Sequence, residues 1–183
     1  VCGVICAMVA VFSATAVAAP VELLDPAANS FVVTGQEADT GTFTVPAGYN
    51  RTIVIAVHAR TDTGSAANDV TVEWANLDGD SGLPLTKSRE AIRSASPMFQ
   101  STTLLYRHLD NTVSGDHVVR VRMVNALADP KVVQVHVFGN VDPNFSPVVG
   151  DANGSARTGL GSQALVALGA DVDYLVVDAA THN

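Results

Sequence analysis

Apolar side chains recur at every second position through most of the chain. Ile53, Ile55 and Val57 do so in the run from Arg51 to Arg60, and Val70, Val72 and Trp74 alternate with Thr71 and Glu73. Val119, Val121 and Met123 alternate with Arg120 and Arg122, and Val133, Val135 and Val137 with Gln134 and His136. Period two gives strands with one face on a core and the other toward water. The β-branched Val, Ile and Thr suit a pleated surface. Strands are expected near 30–34, 41–45, 51–60, 69–76, 83–87, 101–109, 116–125, 131–141, 162–168 and 174–180. Turn chemistry separates them at Pro46-Ala47-Gly48, Asp62-Thr63-Gly64, Asp78-Gly79-Asp80-Ser81-Gly82, Ser114-Gly115-Asp116 and Asp129-Pro130. Thr86–Ala95 alone offers a helical turn, without an apolar stripe, and leaves Glu90 in a polar connector. The phase predicts Trp74 in the core, and His58 and His136 on a solvated sheet face beside Arg60 and Gln134. Many short strands at near-regular spacing predict an all-β fold, an antiparallel β-sandwich of the jelly-roll kind.

The first residues break this pattern. Residues 1–18 read VCGVICAMVAVFSATAVA and carry no charge. Their apolar stretch, 1–12, falls short of the roughly 20 residues a membrane-spanning helix needs. Ala16-Val17-Ala18 has the small-x-small form of a signal-peptidase site. A signal peptide cleaved after Ala18 is the expectation, with a membrane anchor or a buried N-terminal helix as the alternatives. A leader usually opens on Met and a basic stretch, so the natural start is expected upstream, or Val1 is an alternative start codon read literally. Cys2 and Cys6 both lie in this leader, so the mature chain is expected to hold no disulfide, thiolate metal site or Cys nucleophile. Residues 19–39 read as a connector and first edge strand, and 40–183 as the sandwich domain.

Composition narrows the classes further. A chain of 183 residues suits one domain with a full core, and 48% apolar residues exclude intrinsic disorder. The formal net charge of −8 argues against nucleic acid, which needs clustered Lys and Arg. No membrane partner is expected once the leader is cleaved.

The strand residues also carry a family pattern. Asn50-Arg51-Thr52-Ile53-Val54-Ile55-Ala56-Val57 resembles the NRLLVVGV strand of a jelly-roll-like β-sandwich domain of secreted and surface bacterial proteins. Leu85-Thr86 is similar to its G-x-x-L-T hairpin, with Leu83-Pro84 in place of the usual Gly pair, and Leu105-Tyr106 to its W-Y-L strand. Gly115-Asp116-His117-Val118-Val119-Arg120-Val121 resembles its G-x-H-x-V-x-V strand, and Phe138-Gly139-Asn140-Val141-Asp142 its F-x-x-V-D segment. Tyr174-Leu175-Val176-Val177-Asp178-Ala179 is similar to its DLVVDA strand. The resemblance covers about residues 40–180. It implies a sandwich fold and an extracellular or cell-surface setting, with no catalytic residues to carry over. It also implies two or three further strands, the last containing Trp. This chain stops at Thr181-His182-Asn183, so a C-terminally truncated domain with an open edge is expected.

Candidate chemistry is sparse. The loop Asp78-Gly79-Asp80-Ser81-Gly82 is the candidate Ca²⁺ site: Asp78 and Asp80 supply alternating oxygens, while the third alternating ligand and distal Glu of an EF-hand are missing. Asp and Gly are equally the residues of an ordinary hairpin turn. His58, His108, His117 and His136 all fall on expected strands, where two or three converging imidazoles would bind Zn²⁺. Facing carboxylates, a G-x-S-x-G elbow, a P-loop and H-E-x-x-H are all missing, Glu73 stands alone on its strand, and Gly154-Ser155 and Gly161-Ser162 read as loop dipeptides. Neither enzyme activity nor a cofactor is expected. Sugar stacking would fall to loop aromatics such as Tyr49 or Phe145. The sequons at Asn50, Asn144 and Asn153 are expected to be unmodified in a bacterial source.

The chain therefore reads as a non-enzymatic extracellular module with a structural or binding role, its candidate partners carbohydrate or neighbouring subunits. One alternative is a fibre or pilus subunit whose segment 21–34, with Phe31-Val32-Val33, adds a strand to a neighbour. The other is a carbohydrate-binding accessory domain.

Overall fold

Alternating chains become sheets only where neighbouring strands supply hydrogen-bond partners, and here every pairing is antiparallel. The structure, a computed structural model, describes residues 19–25, 29–62, 67–95, 98–126, 129–144, 148–149, 160–170 and 173–182. The strands are β1 (Glu22–Leu23), β2 (Asn29–Val33), β3 (Glu37–Asp39), β4 (Phe43–Val45), β5 (Arg51–Thr61), β6 (Val72–Leu77), β7 (Leu83–Pro84) and β8 (Thr86–Ala95). They continue as β9 (Met98–Leu109), β10 (Gly115–His117), β11 (Val119–Met123), β12 (Lys131–Gly139), β13 (Val148–Val149), β14 (Leu160–Ala170) and β15 (Asp173–His182). One 3₁₀ turn, Ala67–Val70, precedes β6. The leader, Phe145 and Asn153-Gly154-Ser155 lie outside the described residues.

The first sheet runs β12-β5-β9-β8, with β1 and β2 end to end along the free edge of β12. The second runs β3-β11-β6-β7. It is prolonged by β4 pairing with β10, and Thr40 N donates to Val119 O at 2.9 Å across the junction. These two sheets enclose the main core. Ile53, Ile55, Val57, Val133, Val135 and Val137 face Val72, Ala75, Leu77, Val119, Val121 and Met123, all buried. Each of the Val, Leu, Ile and Met side chains among them contributes about 1.5–3 kcal/mol by leaving water. A third sheet, β13-β14-β15, lays β14 and β15 against β8, β9 and β5. The all-β antiparallel sandwich expected from period two is what forms.

Several expectations are corrected. Thr86–Ala95 is an edge strand, not a helical turn, and Glu90 lies within it. A register shift between Lys87 and Arg89 interrupts its alternation, which hid the strand from a period-two reading. Inside the sandwich, Glu90 Oε1 accepts from Val72 N (3.2 Å) and Thr103 Oγ1 (2.9 Å), and Lys87 Nζ donates to Val72 O, so β8 is tied to β6 across the layers. Gly161-Ser162 lies on β14, not in a loop.

Trp74 is not a core residue. A β-bulge in β6 places Val72 opposite Met123 but Trp74 opposite Arg122, so Glu73 is the extra residue. Beyond it Ala75 and Leu77 take the inward phase, and Trp74 is turned onto the outer face of the second sheet, half-buried.

The solvated face assigned to His58 and His136 is also corrected. Every residue from Arg51 to Val57 is buried, because β5 is covered on both sides. On the face away from the second sheet, Val54, Ala56, Leu104, Phe138 and Val141 form a second buried cluster, with Val21 and Tyr106 packed against it.

Candidate functional site

The outer face of the second sheet collects the charged side chains that alternate with its core residues. Arg120 stands opposite Asp39 of β3, and Arg122 stands between Glu37 and the bulged segment of β6. Arg120 makes a bidentate pair with Asp39, both bonds 2.7 Å, and reaches Asp80 through Nη1 at 3.0 Å. Arg122 donates through Nε to Glu73 at 2.7 Å and through Nη1 to Glu37. These hydrogen bonds hold the Asp39 carboxyl below the usual carboxylate range, with Arg120 the cause. Both guanidiniums are held above their ordinary value, Arg120 by Asp39 and Asp80, Arg122 chiefly by Glu73. The result is a partly exposed lattice of paired donors and acceptors running from β3 across β11 to β6.

The candidate Ca²⁺ residues join this lattice at its end. Asp78 and Asp80 follow β6 in a tight turn, with Asp78 at φ 63° and Gly79 at φ 88°. The turn closes on Gly82, where a Cβ would stand 1.8 Å from Leu77 O, so only glycine fits. The carboxylate of Asp78 accepts from His117 Nδ1 at 2.8 Å and from Val118 N at 3.3 Å. Asp80 turns to Arg120 instead. The two carboxylates thus take different cationic or donor partners, and among the described residues no group of three or more His, Cys, Asp or Glu is placed to hold a metal ion. His117 Nε2 is buried without a hydrogen-bond partner among the described residues.

The other histidines lie on the first sheet. Gln134 Oε1 accepts from His58 Nε2 at 3.2 Å, leaving His58 Nδ1 facing Thr102 Oγ1 at 3.2 Å in the neutral ring. His108 Nδ1 pairs with Thr52 Oγ1 at 2.7 Å, and its ring meets Tyr106 edge-on. Burial pushes the His58 imidazole below its ordinary pKa; burial does the same to His136, against the opposing charge of Asp25. Unfolded histidine binds its proton near pH 6.5. Between that value and the lowered folded ones the unfolded chain holds more protons, so stability is full above pH 6.5 and falls as pH drops. The melting temperature is expected to fall between pH 7 and pH 5, and to fall less in a His58→Gln/His136→Gln double variant. Equal slopes in the two proteins would show that these rings do not carry the effect.

A small cleft of about 210 Å³ lies at the far end of β5, lined by Arg60, Thr61, Asp62, Asp129 and Pro130. Arg60 pairs there with Asp62 at 3.0 Å, both exposed. The loop aromatic Tyr49 is 76% exposed at the opposite end of β5. No helix among the described residues is long and apolar enough to cross a membrane.

Residue-type reasoning placed Asp78 and Asp80 in a turn but missed the lattice they join. The signal was present in the alternation of Arg120 and Arg122 with core valines, since two arginines on one outward face call for carboxylates on adjoining strands. No protein-family model, curated protein or solved structure matches the chain.

Proposed function

We propose that this chain is a non-enzymatic β-sandwich module serving a structural or binding role in a secreted or cell-surface protein. The observation that carries this is the outer face of β3-β11-β6. Its charges are fixed in cross-strand pairs around Arg120 and Arg122, on a rigid sheet with a packed core behind it. Such a face is suited to contact, since its polar groups are pre-positioned and lose little freedom on binding. The uncharged leader with its Ala16-Val17-Ala18 site supports an address outside the cell, as does the resemblance to surface sandwich domains.

The alternative of a fibre subunit rests on β2. Among the described residues this edge strand pairs only with β12, and Val32 on it is 71% exposed. In a fibre the same pairing would be made to a neighbour's β12.

One experiment separates these readings. The chain is expressed behind an initiator Met and a short basic stretch in a secretion-competent bacterium, the exported product is sequenced from its N-terminus, and its mass is measured by light scattering after size exclusion. A product beginning at Ala19 with the mass of one chain is expected. An uncleaved cytoplasmic product would overturn the secreted module, and a concentration-dependent ladder of polymers would favour the fibre subunit.

A further inference from the structure

The chain's single Trp is where a period-two strand would not put it. The bulge at Glu73 sets the indole on the ion-paired face, directly across from Arg122. A bulge beside a site commonly re-aims one side chain, and here it carries a half-buried indole onto a face of charged side chains. Around it, donors and acceptors are fixed and unsaturated. Arg122 spends Nε on Glu73 and Nη1 on Glu37, and Nη2 has no partner among the described residues. The side chains of Arg122, Glu37 and Glu73 are 37%, 40% and 46% exposed, so each carboxylate keeps lone pairs open to solvent.

We infer that Trp74, Arg122, Glu37 and Glu73 form a binding platform for a neutral saccharide chain, with the indole against a sugar ring and the flanking groups bonded to its hydroxyls. The inference rests on the binding-module reading above. Charge decides the ligand class. Arg122 is bracketed by two carboxylates and Arg120 by Asp39 and Asp80, so the face holds more negative than positive charge and repels polyanions. What remains is directional hydrogen bonding beside one aromatic plane, the composition of a site for an uncharged polyhydroxyl ligand. Vicinal hydroxyls match both a bracketed guanidinium, as acceptors, and a carboxylate, as donors.

Because Trp74 is the only Trp, its fluorescence reports on this site alone. Barley β-glucan, xylan and glucomannan serve as probes, titrated by emission and checked by affinity electrophoresis. At least one is expected to give a saturable change in emission and a matching retardation. Trp74→Ala should weaken retardation by tenfold or more, Trp74→Phe by less. Arg122→Gln keeps the indole and should also weaken it, which covers the case in which Trp74→Ala fails to fold. Absence of any emission change or retardation across the three polysaccharides would overturn the platform. So would retardation unchanged in Trp74→Ala but lost in Tyr49→Ala, which would move the site to the loops. Either failure leaves the secreted-module reading standing, since that is judged on leader processing and mass.

Discussion

Replacing Arg51 by Ala is expected to cost about 3–5 kcal/mol, the scale of truncating a large buried side chain and leaving its acceptors unpaired, and at roughly 2–4 °C per kcal/mol to lower the melting temperature by about 6–20 °C. Arg51 begins β5 in the same phase as Ile53 and Ile55, so its side chain enters the sandwich; only 1% of the residue is exposed. No carboxylate pairs with it among the described residues. Its guanidinium instead donates to three carbonyls: Val113 O at 2.6 Å, Asp110 O at 2.9 Å, and Pro46 O. One side chain thereby pins the β4–β5 loop and the turn after β9 to the start of β5. Hydrogen bonds from a charged donor contribute about 1.5–3 kcal/mol each, enough between them to offset desolvation of one cation. Alanine leaves three carbonyls without that donor, and a void. Arg51→Lys should recover only part of the loss, because an ammonium lacks the planar fork that spans separated acceptors. Urea unfolding of the three proteins provides the check. A loss below about 1 kcal/mol in Arg51→Ala would mean that water replaces the guanidinium at little cost.

The layers of this fold were readable because Val, Ile and Met repeat at period two wherever a strand has one dry face, as in Val119–Met123 and Lys131–Gly139. The register was not. At Trp74 a single extra residue exchanges inward and outward phases, and nothing in Val-Glu-Trp-Ala marks which residue bulges. β8 was illegible for a related reason: it is an edge strand rich in Lys, Ser, Arg and Glu, where Ile92 packs on the main core but Glu90, on the same phase, is satisfied by Val72 and Thr103. The second face of β5 was misjudged because coverage by β15 and packing with Phe138, Val141 and Val21 are tertiary facts that Thr52, Val54, Ala56 and His58 do not announce. Of the candidate residues, Asp78 and Asp80 were legible as a turn, but their partners His117 and Arg120 lie about forty positions away. Two buried cations could have been found by phase alone. Arg51 shares it with Ile53, and Lys131 shares it with Val133, Val135 and Val137.

Lys131 is expected to behave in the opposite sense to Arg51. It opens β12 on the inward phase, opposite Val33 and Ala59, and the residue is fully buried. Among the described residues its ammonium has one partner, the carbonyl of Gly35 in the connection from β2 to β3. One hydrogen bond does not offset the desolvation of a cation, and burial accordingly pushes the Lys131 ammonium below its ordinary pKa. Lys131→Met keeps the length of the stem and removes the charge. Gly35 is exposed, so its carbonyl passes to water. A gain of about 1–4 kcal/mol is expected, the range seen when buried ionic groups give way to apolar ones of like volume. The pH dependence follows with its sign. Unfolded lysine holds its proton up to about pH 10.4, while the folded chain releases it earlier, so in that interval the unfolded state binds more protons and stability rises with pH. Below the lowered folded value the penalty is constant and complete. Denaturant unfolding from pH 7 to pH 10.5 should show this alkaline rise in the parent chain and none of it from this position in Lys131→Met, so that the two curves converge. A Lys131→Met chain that is less stable at pH 7, with an undiminished alkaline rise, would show that the bond to Gly35 outweighs the burial of the charge.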